Sequence, residues 1–225
     1  MPHRPRRPAA LRPAKSAAAF DALEREIMLG TLMPGEQLIE LDLADRFGCS
    51  QGTVREALLQ LQEEGLVHRR GHRGTQVSDC TADEAVELFR VRQSVECGGI
   101  VRALRQPSRT LLADLGALLE AMLEAARADD ELRLAACDRD FHRRLFRDAG
   151  LPALDPILHR CLIHNHRFKI SRSAGPRDLM ATALRHRPII DAVAAGDVAA
   201  ASAALHHHIA TIVDFGPNVF VEASQ

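Results

Sequence analysis

The sequence predicts a mainly α-helical protein in two parts. Short helices closed by glycine turns and a small β-hairpin run from residue 19 to 78, and an antiparallel bundle of about six helices follows from 81 to 216. Three observations predict this. Apolar residues recur at helical spacing through most of the chain. The segments "MPGEQL", "FGCSQGT" and "RRGHRGTQV" break that pattern before residue 78. From Thr81 onward hardly a strand signal remains.

Composition narrows the class. With 225 residues, 46% of them hydrophobic, the chain can bury two modest cores. Charged residues make up 26% and the net charge is -1, so any contact with nucleic acid has to come from local basic patches. The five cysteines (Cys49, Cys80, Cys97, Cys137, Cys161) form no C-x-x-C pair, which argues against a disulfide framework or a thiolate zinc site and fits a reducing cytoplasm. "MPHRPRRPAALRPAK" is basic and proline-rich without an apolar stretch behind it, so residues 1–18 are expected to be a disordered arm, with no membrane span later in the chain.

In the first part, Phe20, Leu23, Ile27 and Met28 mark one helix, ended by Gly30 and Pro34. Leu41, Leu43, Ala44 and Phe47 mark a second. Gly48 allows a tight turn, Ser50 caps a third helix, and Val54, Leu58 and Leu61 form that helix's apolar face. Helix, glycine turn, helix is a helix-turn-helix, and "LVHRRGHRGTQV" after it reads as a hairpin wing with Arg69, Arg70 and Arg73 near the tip. Such a module places the N-terminal residues of its second helix against base edges while flanking cations hold phosphates. Arg55 is placed to bond guanine O6 and N7, Gln51 and Thr53 are further readers, and Ser50 lies at the same helix start. Each residue alone is equally an ordinary exposed polar side chain; the set, followed by a wing, points to DNA.

The stretch "IMLGTLMPGEQLIELDLADRFGCSQGTVREALLQLQEEGLVHRRGHRGTQV" resembles the winged helix of GntR-type bacterial transcription regulators, whose pattern includes "PGe.L", "LA", "VREAL" and "eGLv". The family usually carries arginine, threonine and proline where this chain has Gln51, Gly52 and Thr53. One DNA contact expected of the family is therefore missing, and the operator sequence of relatives does not transfer.

In the second part, helices are expected near 81–105, 108–128, 130–149, 152–173, 176–195 and 197–214. Leu134, Asp138, Phe141 and Leu145 share one stripe, with His142 one turn beyond Asp138. His186 lies in line with Leu179, Ala183, Ile190 and Val193; His208 lies in line with Ala201, Ala204, Leu205 and Ile212, which turns His206 and His207 toward the flanks. One carboxylate and three imidazoles facing inward would form a site for one divalent metal per chain: Zn, Ni, Mn or Fe. Read singly, each histidine is equally a hydrogen-bonded core residue, and Asp138 with His142 equally an ion pair.

This part resembles the ligand-binding domain of the FadR branch of the same superfamily, and its six helices resemble the VanR-like subgroup. The motifs are "DRDFHRRL", "HRPIIDAVAAGD" and the "HI" of the last helix. The resemblance implies metal-ligand roles for Asp138, His142, His186 and His208; "HNH" at His164 to His166 has no matching role. A six-coordinate ion with four protein ligands leaves room for a small organic acid effector. Arg92 could neutralise the acid's other end, or pair with Glu96 at i,i+4 instead. Asn165 and Arg172 are further lining candidates.

The expected function is that of a cytoplasmic, homodimeric transcription regulator, a repressor by family habit. It would bind a palindromic double-stranded DNA operator under control of the effector. A metal-responsive switch is the alternative. A metalloenzyme is the weaker one, since no general base stands beside the ligands and an enzyme has no need of a winged helix.

Overall fold

In a computed structural model of the chain, residues 14–69, 74–172 and 177–210 are described. The chain divides into two compact units, Met1–Asp79 and Cys80–Gln225. Among the described residues no helix is long and apolar enough to cross a membrane.

The first unit contains α1 (Ala14–Met28), β1 (Gln37–Leu38), α2 (Glu40–Phe47), α3 (Gln51–Glu63), β2 (Val67–Arg69) and β3 (Thr75–Val77). Helix α1 starts at Ala14 and buries Ser16, so residues 14–18, expected as arm, belong to the folded unit. The rest of the expected arm lies outside the described residues. Ala19, Leu23, Ile27 and Met28 of α1 pack with Val54, Ala57, Leu58 and Leu61 of α3, while Phe20 is only half-buried. On α2, Leu43 and Ala44 are buried but Leu41, assigned above to the apolar face, is 55% exposed. With α2 only eight residues long, a single inward stripe suffices, and Leu41 lies off it.

Gly48 ends α2 in the left-handed region (φ 56°), where an L side chain would be strained, and the chain turns directly into α3. Ser50 caps α3 by accepting a hydrogen bond from the Thr53 N–H at 3.1 Å. The wing is a three-stranded antiparallel sheet in the order β1-β3-β2, with Val67 opposite Val77, Arg69 opposite Thr75, and Leu38 also opposite Thr75. The two residues of β1 are too few to show an alternating pattern, so they pass for part of the "MPGEQL" break.

The second unit holds α4 (Ala82–Ala103), α5 (Leu111–Arg127), α6 (Glu131–Arg147), a 3-10 turn (Pro152–Leu154), α7 (Asp155–Arg172), α8 (Leu179–Leu184), α9 (Arg187–Ala194) and α10 (Val198–Ala210). Thr81 and Glu84 close a capping box at the start of α4, each side chain satisfying the other's backbone N–H. Helix α5 packs along α6, α4 lies against α7 and α10, and α9 lies against α10. Phe89, Leu115, Leu119, Met122, Phe141, Leu145, Ile189 and Leu205 are among the core residues of this unit.

The single helix expected over 176–195 is two. Pro188 lacks an N–H and its ring would clash with the Leu184 carbonyl, so α8 stops and α9 starts afresh around His186. The described part of the bundle therefore has seven α-helices where about six are expected. The break also changes the register: Ile189 is fully buried and Ile190 only partly.

Two neighbouring glycines of α4 make a test of packing. A Cβ on Gly99 would overlap the ring of Phe146, itself 3% exposed, whereas one on Gly98 would meet nothing within 4 Å. Gly99→Ala is expected to destabilise the protein by about 1–3 kcal/mol. Gly98→Ala should stabilise it by up to about 1 kcal/mol, through helix propensity. Urea unfolding of the two variants checks the sign of each; equal shifts would place Gly99 away from the Phe146 contact.

Candidate metal centre and DNA-facing surface

Asp138, His142, His186 and His208 come from α6, from the break before α9, and from α10, and all are buried. One ligand atom of each lies within 4.8 Å of all the others. Donors held about 2.0–2.2 Å from one ion stand at most about 4.4 Å apart, so a small contraction would close this set on a metal. His142 Nε2 is 3.2 Å from His208 Nε2 and 3.8 Å from Asp138 Oδ2, and His186 Nε2 is 3.1 Å from Asp138 Oδ1. His206 and His207 are exposed.

The tautomers decide what this convergence means. His142 Nδ1 donates to Glu96 Oε2 at 2.5 Å, and His186 Nδ1 donates to the Ala183 carbonyl at 3.1 Å. With Nδ1 donating, each ring turns its Nε2 inward, where it can bind a proton or a metal ion. Burial holds His142 below its ordinary value even against the pull of Glu96, and burial with His186 and His142 alongside lowers His208 well below it. Burial would raise the Asp138 carboxyl, but His166 and His186 outweigh it and keep the group well below the usual carboxylate range. An inward Nε2 beside an ionised carboxylate calls for positive charge between the two, supplied by a proton or by a cation. The donor set thus fits a divalent ion of the imidazole- and carboxylate-preferring kind.

Several members of this constellation escape helical-stripe reasoning. Glu96 on α4 joins Arg92 to His142: Arg92 Nε donates to Oε1 at 2.5 Å while His142 takes Oε2, and all three side chains are essentially unexposed. The Arg92–Glu96 pair visible in the sequence at i,i+4 is therefore real, but it does not use up Arg92. Its two terminal nitrogens, and both amide atoms of Asn165, are buried without a hydrogen-bond partner among the described residues. His166 on α7 holds Asp138 Oδ2 at 2.9 Å, and Lys169, one turn beyond Asn165, is buried with its ammonium pushed well below its ordinary value by burial. Only the adjacency in "HNH" could have hinted at His166. Arg172 falls in the last turn of α7, and its side chain lies outside the described residues.

On the first unit, Ser50 and Thr53 are 2.9 Å apart through their hydroxyls, and Gln51 is exposed at the start of α3. Arg55 and Arg69 both contact Glu40, the first residue of α2. Arg70 and Arg73 lie outside the described residues.

Comparison with known proteins places both units. Residues 15–77 match the bacterial regulatory proteins of the gntR family, and residues 87–211 match the FCD domain. A protein of Paenarthrobacter nicotinovorans described as a probable D-xylose utilization operon transcriptional repressor is 33% identical over 191 residues, 84% of this chain and 83% of its own. A GntR-type structure from Rhodococcus sp. RHA1 superposes with a TM-score of 0.70 at 26% identity, covering 91% of this chain and all of the other. E. coli McbR/YncC shares the fold, with a TM-score of 0.70 at 21% identity over 88% of this chain and 94% of its own.

His164, at the other end of "HNH", provides a measurable property of the bundle. Burial, with Arg167 and Arg160 adding to it, pushes this imidazole down to about 4. An unfolded chain protonates histidine near pH 6.5, so over the window from about 6.5 down to 4 the unfolded state binds the extra proton. Stability is complete above that window and falls as the pH drops through it, by on the order of 3 kcal/mol for this group. His164→Gln is expected to show a shallower loss of urea stability across the same window; an unchanged slope would show that His164 titrates normally in the folded protein.

Proposed function

Because this chain belongs to the gntR family of bacterial regulatory proteins, with an FCD domain behind its winged helix, we propose that it is a repressor whose hold on DNA is set by a small organic carboxylate bound at a metal centre in its helical domain. It is a DNA-binding transcription regulator and not an enzyme. The metal, its ligand set and the carboxylate are the proposed part. One observation carries them: the inward Nε2 atoms of His142 and His186 converge on the buried Asp138 carboxylate.

Charge accounting supports the carboxylate. The charged groups joined by contact to the proposed ligands in this cluster, Arg92 (+1), Glu96 (-1) and Asp138 (-1), sum to -1. A divalent ion brings the sum to +1, and one carboxylate neutralises it, which matters because uncompensated charge away from water is costly. When bound, the ion supplies the positive charge these donors require and open positions for an anion. The terminal nitrogens of Arg92 and the amide of Asn165 are among the protein groups with hydrogen bonds left to give, and Lys169 stands one turn further along α7. Glu96 fixes the His142 tautomer and His166 holds Asp138, so these two orient the ligands rather than bind the effector.

Control of DNA binding then needs only different effector affinity in two arrangements of a dimer. Dimerisation belongs to the proposal: one winged helix reads few base pairs, and a palindromic operator matches two-fold symmetry. The chromosome places this work in the cytoplasm. Complete burial of His142 and His186 also favours a second reading, in which the metal itself is the signal.

Metal analysis of the purified protein is expected to find about one ion per chain, lost in His208→Ala. Operator affinity should differ between the metal-loaded protein and the same protein with small carboxylic acids. A difference only between metal-free and metal-loaded forms would favour the metal-responsive reading, and no metal in either protein would overturn both. Glu96→Gln should lower Zn2+ affinity about 10- to 100-fold in a chelator competition, since the amide offers one acceptor oxygen, and no charge, where Arg92 and His142 use two. Unchanged affinity would show that the orientation comes from elsewhere.

A further inference from the structure

Glu40 holds Arg55 and Arg69, the two arginines of the expected DNA surface that lie among the described residues. Its Oε2 accepts from Arg55 Nη2 at 2.6 Å, Arg55 Nε lies 3.2 Å from both carboxylate oxygens, and Oε1 accepts from Arg69 Nη2 at 2.9 Å. The three residues lie on different elements: the first turn of α2, the second turn of α3 and the last position of β2. The arginine side chains are 52% and 43% exposed and the glutamate 22%. An exposed ion pair contributes little to stability, so a carboxylate bridging two cations from distant parts of the chain calls for another role.

Geometry indicates one. A guanidinium has five N–H donors. Glu40 engages Arg55 along its Nε–Nη2 side, leaving the Nη1 N–H groups and the outer Nη2 N–H at the far edge. That edge is the one that bonds guanine O6 and N7, or a phosphate, in two places. A guanidinium gripped from the side is fixed in plane and direction, while a free one samples many rotamers and follows phosphate charge wherever it lies. The same carboxylate cancels one of the two positive charges of Arg55 and Arg69, which weakens attraction to any duplex regardless of sequence.

We propose that Glu40 is a specificity-determining positioning residue for DNA recognition: it aims Arg55, with Arg69 alongside, and suppresses non-specific binding by its charge. The inference rests on the reading that Arg55 contacts DNA. It gives Glu40 a double signature, because its removal acts in opposite directions on the two kinds of binding. A merely structural ion pair would weaken both together.

The test uses the full chain and a duplex enriched from a random-sequence pool by the wild-type protein, compared with a shuffled version of that duplex. Glu40→Gln keeps the shape and removes the charge. Its expected result is tighter binding to the shuffled duplex, a salt dependence steeper by about one unit of log-log slope, and an enriched-to-shuffled affinity ratio lower by about tenfold. Arg55→Lys keeps the charge and loses the planar fork, so it should lower the ratio with little change in shuffled binding. In the Arg55→Lys background, adding Glu40→Gln should lower the ratio no further, because the two act through one contact. Thermal melting of each variant shows whether the fold is intact. An unchanged ratio for Arg55→Lys would overturn the DNA contact itself. A lowered ratio for Arg55→Lys with a wild-type ratio for Glu40→Gln would overturn the positioning role alone, as would a parallel loss of both kinds of binding in Glu40→Gln.

Discussion

The interaction on which the helical domain depends is the burial of the Asp138 carboxylate among imidazoles. A lone carboxylate in an apolar interior is costly, and this one is 4% exposed with Phe141 and Leu145 on the same helix face. Four separate segments meet that cost. The break before α9 brings His186, α10 brings His208, α7 brings His166, and α6 brings His142 one turn on from Asp138. Bundle packing that missed this convergence by a residue would leave a buried charge without partners.

The polar centre extends beyond the groups that converge on Asp138. Glu96 connects His142 to Arg92, so whatever Arg92 binds is felt two hydrogen bonds away at an imidazole facing Asp138. Arg92 and Asn165 keep donors and acceptors in reserve although both are fully buried. Native interiors rarely leave such groups unpaired, so these are placed to take a bound water, ion or ligand. The neighbouring apolar core, drawn from α4, α5, α6, α8, α9 and α10, is ordinary close packing.

In the DNA-binding unit the same physics works at the surface. Glu40, Arg55 and Arg69 share charge where water screens it, so their contribution is to direction rather than to stability. Leu41 and Ile39 flank Glu40 as exposed apolar residues.

The sequence by itself determined the elements and much of the site. Apolar spacing of three and four residues identified α3, α6 and α10, glycine at 48 and serine at 50 identified the turn and cap, and the stripes on α6 and α10 turned Asp138 and His208 inward. Those signals are local, because neighbours on a helix face are set by the helix itself. The tertiary structure alone decided the rest. Glu96 meets His142 46 residues away, and Glu40 meets Arg55 and Arg69 at separations of 15 and 29. His186 reached the site although the helix drawn through it was wrong, since Pro188 breaks the chain there and packing against α10 sets where the imidazole points. Pairing across elements depends on how helices dock and on which tautomer a neighbour enforces, and neither leaves a period in a one-dimensional string.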